Sequence, residues 1–470
     1  MENNQYHFGM VGLGVMGRNF ILNVADSGFS AAGLDLDTEK VKALNEEGAD
    51  KKVKGTTDKN TFLSMLSSPR KIMLLVPAGK AVDAVIKDLL PHLDKGDLII
   101  DGGNSFYIDT NRREKELEKE GILFMGVGVS GGAKGARLGP SIMPGGNQKA
   151  YQLVQDILEG VAAKVNDEPC VAYLGKSSAG NYVKMVHNGI EYALMQLIAE
   201  AYDLLKQVGG LNNEELHQTF EKWNKGKLQS FLIEISAAIF AKDDPETGRK
   251  LVDAILDKAK QKGTGKWTSQ NAMDLGMPVP TIDAAVTMRG ISSFKSDRIV
   301  IDSIYEGAAT FTKVDKDSFT SQVENALYFS FIMAYAQGMA VLKSASEEYE
   351  YGLNLEVIAK IWRGGCIIRA ALLEHIRNAY KKDEDLSNLI IDSYFVEQIK
   401  AIEQDTRKVI QVATASGVPV LALGTSLAYF DSLRSSRLPL NLVQAQRDFF
   451  GSHTYERTDM EGVFHTEWEL

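Results

Sequence analysis

The 470-residue sequence predicts an α/β domain built on a parallel sheet, then a large all-α region of two similar halves, then a short C-terminal tail. Three observations carry this. Up to about residue 178, short apolar runs alternate with amphipathic helical stretches and glycine-rich loops, the pattern of strand–helix–strand units. Beyond it, long helical periodicity takes over. Within that region residues recur at a nearly constant offset: Asn188 with Asn325, Trp223 with Trp362, and Gly276-Met277-Pro278-Val279 with Gly417-Val418-Pro419-Val420. A repeat this long implies two similar helical bundles, not a solenoid. The expected division is 1–178, 179–434 and 435–470.

The first apolar run, Tyr6 to Val11, leads into Gly12-Leu13-Gly14-Val15-Met16-Gly17 and then an amphipathic stretch with Phe20, Ile21, Val24 and Ala25. A GxGxxG between strand and helix makes a tight turn, admits a pyrophosphate to the backbone and lets helix pack on strand, so the domain reads as Rossmann-type. The second run, Ala31 to Leu34, ends at Asp35, where a carboxylate accepts hydrogen bonds from ribose hydroxyls. Acidic residues here also cap helices, a use open to Asp37. Ile72 to Val76 runs into Pro77-Ala78-Gly79, and Leu98 to Ile100 into Asp101-Gly102-Gly103-Asn104-Ser105. Ligands sit beyond the carboxyl ends of such strands, so Val76, Pro77, Ala78 and Asn104 join the cofactor-crevice candidates. Phe124 to Val129 leads into Ser130-Gly131-Gly132, whose hydroxyl and backbone N–H groups suit a carboxylate. Taken alone, that loop reads better as a flexible turn.

The chemistry concentrates in Gly180 to Tyr192. Lys184, His187, Asn188 and Glu191 stand at i, i+3, i+4 and i+7, one face of a helix, with Lys184 and Glu191 roughly 10 Å apart along the axis. A solvated polar stripe is the ordinary reading. Against it, the other faces are apolar (Val183, Met185, Val186, Ile190, Ala193), and the same face turns apolar at Met195 and Ile198. A base, an acid and two hydrogen-bonding groups on a buried helix point to proton transfer in a cleft. In the second half Lys184 and Glu191 fall on Ser321 and Tyr328, so only the first half carries the pair.

The formal net charge of −10, without Lys/Arg runs, excludes a nucleic-acid footprint. Cys170 and Cys366 form no CxxC and no metal-ligand cluster, which fits a reducing compartment. The N-terminus lacks a basic start and apolar run, and Gly417, Pro419 and Gly424 break the uncharged stretch Val409 to Phe430, so neither signal peptide nor membrane span is expected. The expectation is a cytoplasmic protein. Lys262-Gly263-Thr264-Gly265-Lys266-Trp267 lacks P-loop spacing, yet with Arg289, Arg447 and His453 it suggests a positive pocket for an anion.

These residues identify a resemblance. Asp101-Gly102-Gly103-Asn104, Val129-Ser130-Gly131-Gly132, Gly139-Pro140-Ser141-Ile142-Met143-Pro144-Gly145-Gly146, Lys184 through Tyr192, Lys262 through Thr268, and Gln444-Ala445-Gln446-Arg447-Asp448 match the long form of the 6-phosphogluconate dehydrogenase (decarboxylating) family over nearly the whole chain. The resemblance implies oxidation of 6-phosphogluconate at carbon 3 and loss of carbon dioxide to give ribulose 5-phosphate, without a metal. It implies Lys184 as base and Glu191 as acid. Substrate contacts are implied at Asn104, Ser130, Gly131, Gly132, His187, Asn188 and Tyr192. Phosphate contacts are implied at Tyr192, Lys262, Thr264, Arg289, Arg447 and His453, the last two from the partner in a homodimer. Members that use NADP carry Asn-Arg-Ser/Thr where this chain has Asp35-Leu36-Asp37, so NAD is the expected cofactor and NADP the weaker alternative. Lys40 or Lys42 swinging onto a 2′-phosphate is the counter-reading. A β-hydroxyacid dehydrogenase shares the glycine fingerprint and helix lysine but leaves the second bundle and the Arg447/His453 segment without a use. A nucleotide-binding protein without catalysis leaves Lys184, Asn188 and Glu191 unexplained.

Overall fold

The computed structural model describes residues 5–305 and 312–469. Strands β1 (Phe8–Val11), β2 (Ala31–Leu34), β3 (Val53–Thr56), β4 (Lys71–Leu74), β5 (Leu98–Asp101), β6 (Leu123–Ser130) and β7 (Ser141–Gly146) form one sheet in the order β3-β2-β1-β4-β5-β6-β7. All neighbours are parallel except β6 and β7. Helices α1 (Val15–Asp26), α2 (Thr38–Glu47), α3 (Lys59–Met65), α4 (Lys80–Leu89), α5 (Tyr107–Lys119), α6 (Gly132–Leu138) and α7 (Gln148–Val161) cover it. One apolar layer gathers Phe20, Ile21, Val154 and Leu158, and the other Phe62, Leu63, Val82 and Leu117. The strand order reverses between β1 and β4, and the crevice lies there, as sequence predicts for a Rossmann-type sheet.

The helical region runs α8 (Ala179–Gln207), α9 (Asn213–Trp223), α10 (Phe231–Ala241), α11 (Leu251–Ala254), α12 (Thr264–Asp274), α13 (Pro280–Ser293), α14 (Lys295–Ile304), α15 (Lys316–Glu348), α16 (Leu355–Trp362), α17 (Leu372–Lys382), α18 (Ser393–Ala415) and α19 (Leu421–Leu433). Its halves repeat in backbone detail. Buried Trp223 and Trp362 close α9 and α16. Gly276 and Gly417 share a left-handed φ of 67° and 69°, where only glycine is unstrained. Val279 and Val420 lead into α13 and α19 at φ/ψ of −129°/49° and −133°/55°. The halves meet back to back, Phe231 N–H donating to the Arg369 carbonyl and Ala371 N–H to that of Gln229.

They also cap each other. The Glu200 carboxylate on α8 accepts the Ala422 and Leu423 N–H groups in the first turn of α19 at 2.9 and 2.8 Å. Gln337 Oε1 on α15 accepts the Thr281 N–H in the first turn of α13 at 3.0 Å. Helix α15 is long and apolar enough to cross a membrane, but 94% of its apolar window is buried inside the fold. The uncharged stretch from Val409 is the end of α18, a turn and most of α19.

The tail forms α20 (Leu440–Gly451) and a two-residue hairpin, Tyr455–Glu456 against Val463–Phe464. Its hub is Asp448, which accepts from the Thr454 and Thr466 N–H groups, the Trp468 indole and His465. Around that hub Leu440, Leu442, Val443 and Phe450 are exposed, and α14 has no buried residue.

Candidate active site

The glycine loop takes the form its spacing predicts. Gly12 has φ +95°, and a Cβ there would stand 2.6 Å from the Leu75 carbonyl. A Cβ on Gly17 would overlap the Gly12 carbonyl, so Gly17 seats helix on strand, while the space beside Gly14, which precedes α1, is open. A dinucleotide phosphate fits that cradle. The Leu13 side chain is buried and its N–H is bonded to Asp35 Oδ2 at 2.7 Å; Val15 is exposed and Met16 half-buried. Gly12, Gly14, Leu34, Asp35, Leu36, Lys40, Val76 and Pro77 line a cavity of about 570 Å³, and Ala78 follows exposed. Asp37 caps α2 through the Glu39 N–H. Lys40 Nζ lies 3.6 Å from both Asp35 and Asp37, so this ammonium faces the crevice already held by two carboxylates.

Helix α8 lies against β6 and β7 because the facing residues are small. On β6, a Cβ on Gly126 would strike the Asn181 amide, and one on Gly128 would stand 2.4 Å from Lys184 Cβ. The close approach buries the whole first half of α8 and carries Lys184 inside with it (6% exposed). His187 is fully buried, Asn188 is 7% exposed and the Glu191 side chain 20%.

His187 organises the face. Its Nδ1 lies 3.1 Å from Asn188 Oδ1, 3.3 Å from Lys184 Nζ and 3.8 Å from Glu191 Oε2; its Nε2 lies 3.3 Å from Ser130 Oγ. With the Asn188 carbonyl facing it, Nδ1 carries the proton and Nε2 accepts from Ser130. Nδ1–H then leaves no lone pair for a lysine ammonium, an arrangement that suits a neutral amine. Burial depresses the Lys184 and His187 pKa values, and burial raises that of Glu191 against the pull of Lys184 and Arg289. These directions favour a neutral amine and a protonated carboxyl, the states a base and an acid need.

Two flanks complete the cleft. On one, Ser130 is buried, Gly131 half-buried and Gly132 exposed at the start of α6, and Asn104 is exposed on the loop after β5. On the other, Arg289 stacks 5.0 Å from the centroid of the Tyr192 ring. The first turn of α12, with Thr264 buried and no side-chain cap, abuts the same ring at Gly265. A helix N-terminus beside a guanidinium suits a phosphate. Lys262 is exposed just before it. Arg447 and His453 are exposed on the tail; among the described residues Arg447 donates to Gln444, and no hydrogen bond or ion pair joins either side chain to the α8 face.

The sequence reading missed the back wall, Trp362 to Ile367. The Trp362 indole stands edge-on to the His187 ring at 5.5 Å, and the Ile367 N–H donates to Ser130 Oγ at 3.4 Å. A Cβ on Gly131 would come 2.5 Å from the Gly365 carbonyl, and burial pushes the Cys366 thiol up to about 12. The available signal was the break in the repeat: Trp223 is followed by Asn224-Lys225-Gly226, Trp362 by Arg363-Gly364-Gly365-Cys366. Among the described residues no His, Cys, Asp or Glu cluster is arranged to hold a metal ion.

Comparison with known proteins agrees with this geometry. Residues 7–175 match the family model of the NAD binding domain of 6-phosphogluconate dehydrogenase, and residues 180–468 that of its C-terminal domain. A Bacillus subtilis protein named 6-phosphogluconate dehydrogenase, NADP(+)-dependent, decarboxylating, is 53% identical over 99% of both chains. An Escherichia coli protein named 6-phosphogluconate dehydrogenase, decarboxylating, is 50% identical over 99% of both. The Plasmodium falciparum 6-phosphogluconate dehydrogenase, whose structures include complexes with NADP+ and 6-phosphogluconate, superposes with a TM-score of 0.95 at 46% identity, covering 98% of this chain and all of the other. With family models matched over residues 7–175 and 180–468 and relatives matched over nearly the whole of both chains, the chain belongs to the 6-phosphogluconate dehydrogenase family of oxidoreductases.

Proposed function

We propose that the protein oxidises 6-phosphogluconate and decarboxylates it to ribulose 5-phosphate, the oxidative step of the pentose phosphate pathway. The observation that carries this is the α8 face: buried Lys184 and half-buried Glu191 either side of His187, with Ser130 at one flank and the Tyr192–Arg289–α12 flank at the other. The substrate carboxylate binds at Ser130-Gly131-Gly132. The phosphate binds at Tyr192, Lys262, Thr264 and Arg289, with Arg447 and His453 of the partner subunit. Asn104, His187 and Asn188 hold the hydroxyls. Neutral Lys184 takes the proton of the 3-hydroxyl. A nicotinamide dinucleotide in the β1/β4 crevice supplies the hydride acceptor for carbon 3. In the resulting β-keto acid the bond between carbons 1 and 2 breaks, its electron pair forms an enolate, and carbon dioxide leaves. Protonated Lys184 returns its proton to the enolate oxygen, giving an enediol. Glu191 protonates the carbon that becomes carbon 1 of ribulose 5-phosphate as Lys184 takes the enediol proton.

The proposed cofactor is NAD, with NADP weaker. The relatives' printed names that specify a cofactor give NADP(+), so this reading rests on the chain's own residues. Asp35 closes β2 at the ribose position, Leu36 is 91% exposed and offers no donor, and Lys40 is held between two carboxylates. A 2′-phosphate there meets like charge and lacks a charge-assisted partner, a difference of about 2–4 kcal/mol, or roughly thirty- to thousand-fold. The proposal includes a cytoplasmic homodimer completed by each partner's tail, divided at 178/179 and 434/435. The start of α8 at Ala179 and the bare apolar faces of α14 and α20 support it.

The test is the appearance of reduced nicotinamide with 6-phosphogluconate and each dinucleotide. Reduction of neither overturns the function; an equal or higher kcat/KM with NADP overturns only the cofactor reading.

A further inference from the structure

We propose that Arg113 is a positioning residue, a buried guanidinium that ties the loop after β4 to the loop after β5 and sets the width of the dinucleotide crevice. This rests on the dehydrogenase reading above. Arg113 lies on the inward face of α5 with Tyr107, Thr110 and Leu117, its side chain 1% exposed. A guanidinium buried among apolar neighbours destabilises the fold unless its donors are matched. Here the partners sit on the loop after β4 and the first turn of α4, whose neighbours Val76, Pro77 and Ala84 line the crevice, and on the end of β5 and the loop beyond it that carries Asn104.

Nη2 donates to the Gly79 carbonyl at 3.0 Å and Nε to Asp83 Oδ1 at 2.8 Å. Gly79 is the residue before α4, and its carbonyl also accepts the Val82 N–H. The guanidinium therefore grips the first turn of α4 at two points, directly behind Pro77-Ala78. Nη1 donates to Asp101 Oδ2 at 3.0 Å and to Ser105 Oγ at 3.2 Å. Asp101, the last residue of β5, also accepts the Gly103 N–H at 3.1 Å and the Ser105 hydroxyl at 2.6 Å. Asn104 thus sits on a loop with both shoulders fixed to one carboxylate. On its far side the Gly103 carbonyl accepts from Asn181 Nδ2 at 3.3 Å, less than one turn of α8 before Lys184. Polar contacts run unbroken from α4, through Arg113 and Asp101, to the helix that bears the proposed base.

The fork geometry is essential. A lysine ammonium beside Asp101 is a point charge and cannot span Gly79, Asp83 and Ser105 together. With the charge kept and the span lost, the two loops drift apart and the hydride acceptor no longer meets carbon 3 squarely, whereas the phosphate-suited flank at Tyr192 and α12 is untouched.

The test compares full-length Arg113→Lys and Asp83→Ala with the parent. Asp83 is part-exposed, so its removal spares the fold while loosening one anchor. Arg113→Lys should weaken dinucleotide binding about tenfold and lower kcat about 10- to 100-fold, the scale of a small misplacement of reacting atoms. The kinetic isotope effect with 6-phosphogluconate deuterated at carbon 3 should grow as hydride transfer becomes limiting, with the KM for 6-phosphogluconate, which keeps its phosphate flank but also feels Asn104, rising less than the dinucleotide dissociation constant. Asp83→Ala should shift dinucleotide binding the same way, about two- to threefold. Parent-like dinucleotide binding and isotope effect in both variants overturn the proposal. So does an equal rise in both KM values with a falling thermal midpoint, the signature of general destabilisation. If Arg113→Lys does not fold, Asp83→Ala decides alone. A parent that reduces neither dinucleotide refutes the functional reading instead, and dinucleotide binding still tests Arg113.

Discussion

At the scale of single residues, what α8 can do turns on the lowered pKa of Lys184 and the raised pKa of Glu191. Both shifts come chiefly from burial, which the glycines of β6 make possible. Lys184→Ala and Glu191→Ala should each lower kcat by about 10²–10⁴-fold while retaining 6-phosphogluconate binding, measured by equilibrium titration beside steady-state kinetics. Near-normal kcat in either variant removes it from the proposed mechanism. The pH dependence follows in sign: activity rises as Lys184 loses its proton and falls as Glu191 loses its own. The lowered lysine pKa moves the rising limb to more acid pH, and the raised carboxyl pKa moves the falling limb to more alkaline pH. At the crevice, Asp35→Asn with Leu36→Arg should shift the ratio of kcat/KM values toward NADP by at least about tenfold, since it removes a like charge and adds a guanidinium. An unchanged ratio places cofactor choice elsewhere.

Among elements, the reciprocal capping of α19 by Glu200 and α13 by Gln337 joins the two halves. Glu200 is 3% exposed, and burial pushes its carboxyl up to about 7 although two N–H groups favour its charged form. A folded-state pKa raised above the unfolded value means stability fully present below about pH 4.5 and lost as pH rises through about 7, about 3 kcal/mol in all. Gln337 fills the equivalent place without a charge. Glu200→Gln should therefore gain on the parent as pH rises: the difference in thermal midpoint, variant minus parent, should be more positive at pH 8 than at pH 5. A difference that is constant or falls with pH sinks this account. The capping was not legible in the sequence, because Glu200 and Ala422 are 222 residues apart and only the packed duplication brings them together.

At the scale of the whole molecule, the tail stands apart in its bonding. Arg447 and His453 lie on a tail folded about Asp448, with no hydrogen bond or ion pair to the α8 face among the described residues, and that tail and α14 expose apolar side chains no described part of the chain covers. A second copy is the proposed cover. If it brings its tail to this cleft, an inactive Lys184→Ala chain mixed with an Arg447→Ala chain should regain activity at 6-phosphogluconate well below the raised KM of the Arg447→Ala enzyme, because each heterodimer holds one site with both groups. Subunit exchange followed by mass labelling, with no recovered turnover, argues against shared sites. Arg447→Ala alone should raise the KM for 6-phosphogluconate by roughly 1.5–3 kcal/mol, the worth of one charge-assisted hydrogen bond.

The sequence by itself determined what depends on near neighbours. Strand–turn–helix spacing placed the glycine cradle, 3.6-residue periodicity put Lys184, His187, Asn188 and Glu191 on one face, and the repeat announced two bundles. The resemblance supplied the phosphate flank, of which Tyr192 and Arg289 meet in the fold, with Gly265, next to Thr264, against the same ring. Only the tertiary structure decided what depends on distant segments meeting. It buried the α8 face by laying it on β6, walled the cleft with Trp362 to Ile367, and joined the crevice loops through Arg113. It also set Lys40 between Asp35 and Asp37. Local spacing fixes which side chains share a face. The environment that sets their protonation and reach comes from distant segments, from the glycines of β6 to Trp362, and that is settled by packing.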